Sequence, residues 1–100
     1  MKEDVVYITI DHIEEFGSYD CVNVKGELKL KKDRTNRFDD EAIAVFDKNG
    51  QMVGFVANSV HSVARGTYSA GRLYENMGDE IACRVMFKTE EIAIAVINKI

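Results

Sequence analysis

The sequence predicts a mainly β protein, a small antiparallel β-barrel of the OB- or SH3-like kind with one short helix. The chain of 100 residues has the length of a single domain, residues 1–100. Several short apolar runs alternate with polar residues at the period of a strand, without the strand–helix–strand rhythm of a parallel sheet. A content of 46% hydrophobic and 30% charged residues favours a folded core over disorder.

Two strands are predicted in the first third of the chain. Residues 5–10 form a dense run of β-branched and aromatic side chains, typical of a strand that is buried on both faces. In residues 24–32, Leu28 and Leu30 alternate with charged residues. This alternation predicts a half-buried strand with a cationic outer face.

A β-hairpin is predicted in the middle of the chain. Two apolar runs, residues 42–46 and 51–57, flank Asn49-Gly50, a residue pair that strongly favours a tight hairpin turn. Gly54 interrupts the second run, and a glycine inside a strand marks a bulge or a close approach of another group to the backbone.

The segment after the hairpin changes period. Residues 58–65 are predicted to form a helix of about two turns, because Asn58 or Ser59 can cap it and Gly66 can end it. Residues 66–78 are expected to form an irregular loop.

Two further strands, residues 80–87 and 91–98, complete the expected barrel. In the first of these strands the alternation places on one face Ile81, Cys83, Val85 and Phe87. In the second it places on one face Ile92, Ile94 and Val96. The side chains predicted to be mostly buried are Val6, Ile8, Leu28, Leu30, Ile43, Val45, Val53, Val56, Val60, Ile81, Val85, Ile94 and Val96.

Charge is distributed unevenly along the chain. The net charge is −4, but residues 24–37 contain six cations and two acids, so the rest of the chain carries −8. A cationic stripe on an acidic body can hold a phosphate backbone. The alternative interpretation is the solvated, lysine-rich face of a sheet.

No pattern indicates catalysis, a cofactor or a metal site. The chain has no Walker A sequence, and nothing places a catalytic triad. Cys21 and Cys83 are expected to be reduced thiols, because they stand far apart and form no CxxC pair. No apolar run has the length of a membrane helix and the N-terminus lacks signal-peptide features, so a cytoplasmic protein without a membrane partner is expected.

One stretch combines a Leu-x-Leu strand, a polar triplet, an apolar strand, a turn and a glycine in a fixed order. Its residues are Leu28, Leu30, Asn36, Phe38, Asp39, residues 42–45, Gly50 and residues 53–56, extended by residues 57–67 and 69–72. This pattern resembles the HIRAN domain, in the form found in free-standing bacterial proteins. The resemblance covers residues 5–97.

The resemblance implies an OB-like barrel that grips the 3′-hydroxyl end of single-stranded DNA. Phe38 would stack on the terminal base, and Asp39 would accept a hydrogen bond from the 3′-hydroxyl and repel a 3′-phosphate. Asn36 would line the same pocket. The alternative is that Asn36 and Asp39 only form a turn and that Phe38 fills the core.

Other aromatic residues are assigned to the pocket by the same resemblance. Phe55 matches a position near it, with core packing as the alternative. Phe16 and Tyr19 are candidates for a second aromatic wall.

The cations near the pocket depart in part from the family pattern. Arg37 stands where proline is common, and Asn58 stands where a cation could reach a phosphate. Arg34, Arg37, Lys31 and Lys32 lie close in sequence and would form a cationic rim that compensates.

Two classes of function follow. The first is a non-catalytic module that binds ends of single-stranded DNA, with RNA as a further candidate ligand. The second is a scaffold domain that keeps the barrel, has lost DNA binding and binds a protein partner in trans. An enzyme acting on nucleic-acid ends has no catalytic constellation to support it.

Overall fold

Six antiparallel strands form a closed barrel in a computed structural model that describes residues 5–98. The strands are β1 (Val5–Asp11), β2 (Glu27–Lys32), β3 (Ile43–Phe46), β4 (Met52–Val56), β5 (Glu80–Lys88) and β6 (Ala93–Asn98). Two short helices, α1 (Ile13–Phe16) and α2 (Ala70–Tyr74), and a 3₁₀ turn (Tyr19–Cys21) lie between them. The order around the barrel is β1-β4-β3-β2-β5-β6. The predicted class, a small mainly β antiparallel barrel, is confirmed, although it carries two short helices instead of one.

The barrel interior is filled by alternate side chains of the strands. Leu28 and Leu30 of β2 and Val45 of β3 are among the buried residues, as the alternation predicts. Cys83 is also buried there, and Cys21 packs against the same core from outside; both are free thiols. Burial raises the pKa of the Cys83 thiol to about 12. No helix within the described part of the chain is long and apolar enough to cross a membrane.

The hairpin between β3 and β4 forms where Asn49-Gly50 predicts it. The Asp47 carboxylate accepts hydrogen bonds from the backbone N–H groups of Asn49 and Gln51, both at 2.9 Å. Gly50 has a φ of 82°, a conformation that suits glycine. Local turn chemistry therefore determines this connection.

Gly54 marks a close approach between two strands. A Cβ on this residue would collide with the backbone oxygen of Asp11 and lie 3.2 Å from Cγ2 of Ile10. The partner strand β3 has a register shift between Val45 and Phe46, opposite this glycine. Gly54 therefore lies both at a close approach between strands and next to a bulge, the two features that a glycine inside a strand predicts.

The predicted helix over residues 58–65 is wrong. This segment makes only one turn, in which Val63 N–H bonds to the Ser59 carbonyl, and Val60, predicted to be buried, is 89% exposed. The helix lies later, in α2, where the Ser69 side chain accepts a hydrogen bond from Arg72 N–H. The loop that was expected over residues 66–78 therefore contains a capped helix.

Tertiary contacts explain why residues 57–68 are not helical. Strand β4 ends at Val56, so it pairs with only the last part of β1. The remaining edge of β1 is covered by Ala57 N–H, which donates to Thr9 O, and by Tyr68 N–H, which donates to Tyr7 O. Between these two bonds the chain passes along the edge through turns, and Ala64 N–H donates to the Thr9 hydroxyl and not to a helical carbonyl.

The last strand presents the opposite face from the one predicted. Ala93, Ala95 and Ile97 point into the core, so Ile94 and Val96 lie on the outer face, where Ile94 is nevertheless covered and Val96 is half-buried. The pairing with β1 sets this face, because the core residues Ile8 and Ile10 stand opposite Ala95 and Ala93. In β5, a bulge between Val85 and Phe87 shifts the register of the β5–β6 pair. The same bulge explains why Phe87 is exposed.

Strand β2 begins later than predicted. Lys25 has a φ of 72°, and Val24 is exposed. A left-handed residue does not continue a strand, so β2 starts at Glu27. Ile81 of β5, also predicted to be buried, is half-buried and packs against the core.

Candidate nucleic-acid interface

The loop that joins β2 to β3 is held by its own polar side chains. The Asp33 carboxylate accepts from Thr35, and the Asn36 side-chain oxygen accepts from the N–H groups of Phe38 and Asp39, at 2.8 and 3.0 Å. The Asp39 carboxylate in turn accepts from Glu41 N–H at 2.9 Å. Asn36 and Asp39 therefore do form turns, as their residue types predict.

Phe38 projects from this ordered loop into solvent. Its side chain is 96% exposed, which excludes the core-packing alternative for this residue. It takes part in no aromatic ring pair within residues 5–98. The neighbouring Arg37 is also exposed, and it makes no ion pair with another described residue. The loop thus presents an apolar ring beside an available positive charge.

Asn58 connects this loop to the start of α2. Its side-chain N–H₂ donates to Asp39 Oδ2 at 3.1 Å and to Glu41 Oε1 at 3.4 Å, and its oxygen accepts from Gly71 N–H at 2.8 Å. The position expected to hold a phosphate-binding cation therefore holds a structural amide. It also fixes the carboxylate of Asp39, the residue that follows Phe38.

Glu41 and Gly71 belong to the same polar cluster and were missed by sequence reasoning. The Glu41 carboxylate lies directly against Gly71, where a Cβ would displace it from its present position. The available sequence signal is a glycine in the first turn of a capped helix. Its acidic partner, 30 residues earlier in the chain, could be found only from the fold.

The cationic stripe is partly neutralised by contacts with β5 and with the loops around it. Lys29 and Lys31 both approach Glu80, at 3.6 and 3.9 Å. Arg34 forms an ion pair with Asp79, and this hydrogen bond, together with the guanidinium charge, lowers the pKa of the Asp79 carboxyl. Fewer charges than the six predicted are therefore available to a phosphate backbone.

Lys32 has a different partner. Its ammonium lies 4.3 Å from the centre of the Tyr74 ring of α2. An ammonium over an aromatic face keeps its charge, so Lys32 can still attract a phosphate.

The remaining aromatic candidates do not converge on Phe38. Phe55 contacts Phe16, with ring centres 6.0 Å apart, and His12, with ring centres 5.9 Å apart. Tyr19 lies under the Lys88 ammonium, 3.7 Å from its ring centre. Phe16 and Tyr19 are both partly exposed, but the contacts group them with other residues and not into one pocket.

A surface groove of about 700 Å³ lies beside the outer face of β2. It is lined by Lys29 and Lys31 of β2, by Phe46 of β3 and by the hairpin turn. The Lys31 ammonium stands 5.2 Å from the centre of the Phe46 ring. The acids Asp20, Glu27, Asp47 and Glu80 also line this groove, so it carries charges of both signs. It was not predicted as a site, because Phe46 belongs to a run that predicts an ordinary strand.

Within residues 5–98, no three His, Cys, Asp or Glu side chains are placed to hold a metal ion. Every buried side-chain N or O atom of the described residues has a hydrogen-bond partner. What this arrangement offers a ligand is an exposed ring, one oriented carboxylate and a small number of cations.

Comparisons with known proteins bear on the fold only. No protein-family model matches this chain, and no curated protein matches it significantly. The structure is similar to the crystal structure of a structural-genomics target protein from Lactobacillus plantarum, with a TM-score of 0.61 over 96% of this chain and 97% of that one. The two sequences are 12% identical, so this likeness shows that the two chains share a fold.

Proposed function

We propose that this protein is a non-catalytic module that binds the 3′ end of single-stranded DNA, with Phe38 stacking on the terminal base. The exposure of Phe38 is the observation that supports this function most directly. A phenylalanine ring that is 96% exposed contributes almost no burial to the stability of the fold. The loop that carries it is already ordered by the Asn36 side chain. An ordered, exposed ring is the stacking platform that single-stranded nucleic acids use.

The Asp39 carboxylate supports selection for a hydroxyl end. Each of its oxygens accepts one hydrogen bond from the protein, from Glu41 N–H and from the Asn58 amide. A carboxylate can accept about four hydrogen bonds, so Asp39 retains capacity for a 3′-hydroxyl donor. Its charge, reinforced by Glu41, disfavours a 3′-phosphate at the same place.

Binding of this kind is expected to be modest in affinity. Arg37 is available, Lys32 keeps its charge over Tyr74, and Arg34 is shared with Asp79. The acidic body of the chain repels the strand beyond this loop. The resemblance to HIRAN domains is consistent with this function.

The function is tested by fluorescence anisotropy with labelled oligonucleotides that differ only at the 3′ end. We expect the 3′-hydroxyl strand to bind more tightly than the 3′-phosphate strand, and both to bind more tightly than duplex DNA with blunt ends. An RNA strand of the same sequence determines whether the 2′-hydroxyls matter.

Two outcomes would overturn the proposal. Equal affinity for all 3′ ends would remove the role of Asp39. No binding at micromolar protein and low salt would remove nucleic-acid binding altogether and favour the alternative, a scaffold domain that binds a protein partner.

A further inference from the structure

An exposed apolar patch covers the outer face of β1, β6 and β5. Tyr7, Met86 and Phe87 are 41%, 45% and 54% exposed, and Ile94 lies between them on β6. The β5 bulge creates this patch, because it turns Phe87 to the outside next to Met86. Strand β6 is three strands away from β3 in either direction around the barrel, so the patch lies on the side opposite β3.

The patch forms one wall of a groove of about 470 Å³. The other wall is the segment 64–67, which lies beside β1 because Ala64 N–H donates to the Thr9 hydroxyl. The Thr9 and Thr67 hydroxyls are also hydrogen-bonded, at 2.9 Å. The groove is therefore held open by the fold and does not depend on a ligand to form.

The size of the patch indicates what can occupy it. Tyr7, Met86 and Phe87 each expose nearly half of their surface. Because a side chain of this size has a total surface of about 200 Å², the three together expose roughly 300 Å². A stable interface between two globular partners buries about 800 Å² on each. The patch is thus too small for a dimer of this chain and large enough for one or two side chains of a peptide.

Charge indicates the chemistry of that peptide. Arg65 lines the groove and is exposed. Arg84 lies across β6 from the patch, because Tyr7 pairs with Val96 and Val96 pairs with Arg84. Neither arginine forms an ion pair with a described residue. Two available guanidinium groups beside an apolar groove favour carboxylates next to an apolar anchor.

We propose that this groove binds an acidic peptide segment of another protein, with one apolar or aromatic anchor residue inserted against Phe87 and acidic residues beside it facing Arg65 and Arg84. The surface is separate from the Phe38 loop, so both ligands can bind at the same time. The peptide site does not depend on the nucleic-acid function.

The proposal is tested with an array of labelled ten-residue peptides on the full chain. Each peptide carries one central Leu, Phe or Trp, flanked on both sides by acidic, neutral or basic residues. We expect binding by acid-flanked peptides and at least tenfold weaker binding by the basic-flanked set. In NMR spectra, the strongest of these peptides is expected to shift amide signals of β1, β5, β6 and residues 64–67.

Variants separate this groove from other surfaces. Phe87→Ser is expected to weaken binding by about tenfold or more, as loss of a central anchor contact does. Arg65→Glu is expected to remove the preference for acidic flanks, because Arg84 then stands beside one new carboxylate. Val60→Ser is the matched control, since Val60 is an exposed apolar residue outside the groove. Phe38→Ala should also leave peptide binding unchanged.

The contrary results are distinct. The proposal would be overturned if none of the peptides bound at millimolar concentration. It would also be overturned if binding did not depend on the flanking charge, or if it persisted in Phe87→Ser. Concentration-dependent dimerisation in sedimentation equilibrium that Phe87→Ser abolishes would show that a second copy of the chain occupies the patch, and would also overturn it.

Discussion

Replacement of Phe38 by alanine separates binding from stability. Because the side chain is 96% exposed, it buries only about 8 Å² of the roughly 200 Å² of a phenylalanine. At about 25 cal/mol per Å², this burial contributes about 0.2 kcal/mol to the free energy of unfolding. The loop itself is held by Asn36, which the substitution leaves in place. Phe38→Ala is therefore expected to fold as stably as the wild type.

The same substitution should have a large effect on nucleic-acid binding. Loss of one stacking ring weakens binding by about 1–3 kcal/mol per base, which is roughly 5- to 150-fold. Urea unfolding and anisotropy titrations on the same protein samples measure the two quantities. Val60→Ala is the matched control, because it removes another highly exposed apolar side chain outside the loop.

Two results would refute this reasoning. A loss of more than about 1 kcal/mol of stability in Phe38→Ala would show that the ring packs against the protein. Unchanged affinity, with stability retained, would show that Phe38 is not a stacking platform.

Four further outcomes are expected. Gly54→Ala should lose about 1–3 kcal/mol of stability, because the new Cβ meets the Asp11 backbone. Gly78→Ala is the control and should change stability by less than about 0.5 kcal/mol, because the space around Gly78 is open. Equal unfolding midpoints of the two variants in urea would contradict this expectation. Asp39→Asn should reduce the preference for 3′-hydroxyl over 3′-phosphate ends. It should also cost about 1 kcal/mol of stability, because the new amide N–H₂ would face the N–H₂ group of Asn58. An end preference that stays unchanged in anisotropy would argue against the pocket. Burial raises the pKa of the Cys83 thiol to about 12 in the folded state, from an ordinary value of 9.0. Between these pH values the thiol ionises only in the unfolded chain, so the free energy of unfolding should fall from about pH 9 towards pH 12. Cys83→Ala should make this fall shallower, and an identical pH profile would contradict the assignment. Log affinity for single strands should fall with log salt concentration with a slope of about −1.4 to −2.1, as two or three contacted phosphates at about −0.7 each require. A slope near zero would exclude the cationic rim.

Local chemistry in the sequence was sufficient for several parts of the fold. The Asn49-Gly50 turn depends on residues within the hairpin, and the alternation of Leu28 and Leu30 sets which face of β2 is buried. Asn36 also acts locally, because it bonds to N–H groups two and three residues later. Each of these features could therefore be predicted from neighbouring residues.

The errors occur where distant segments decide the outcome. Residues 58–65 have helical spacing, but Ala64 N–H donates to the Thr9 hydroxyl of β1, and Ala57 and Tyr68 on either side bond to the edge of the same strand. The inner face of β6 is set by its register with β1, where Ala95 stands opposite Ile8, and a shift of one position would invert every side chain. The bulge after Val85 turns Phe87 to the outside. Sequence patterns contain neither the strand length that leaves β1 uncovered nor the bulge.

The candidate site divides in the same way. The turn that orders Phe38 was predictable, whereas the contact of Glu41 with Gly71 and the bond from Asn58 to Asp39 join three separate segments. The expected convergence of aromatic rings also required tertiary information, and Phe55 instead packs with Phe16. Family resemblance supplied candidate residues without their contacts.

The most direct test of the central claim is photo-crosslinking with an oligonucleotide that carries 5-iodo-2′-deoxyuridine as its 3′-terminal nucleotide. Iodinated bases react with aromatic side chains that they stack on, and mass spectrometry of the digested protein identifies the residue. If Phe38 stacks on the terminal base, the crosslinked peptide contains Phe38, and moving the iodinated base several nucleotides from the 3′ end abolishes that crosslink. A crosslink to Phe46 in the β2 groove, or equal yields at Phe38 wherever the iodinated base is placed, would contradict recognition of the 3′ end by this loop.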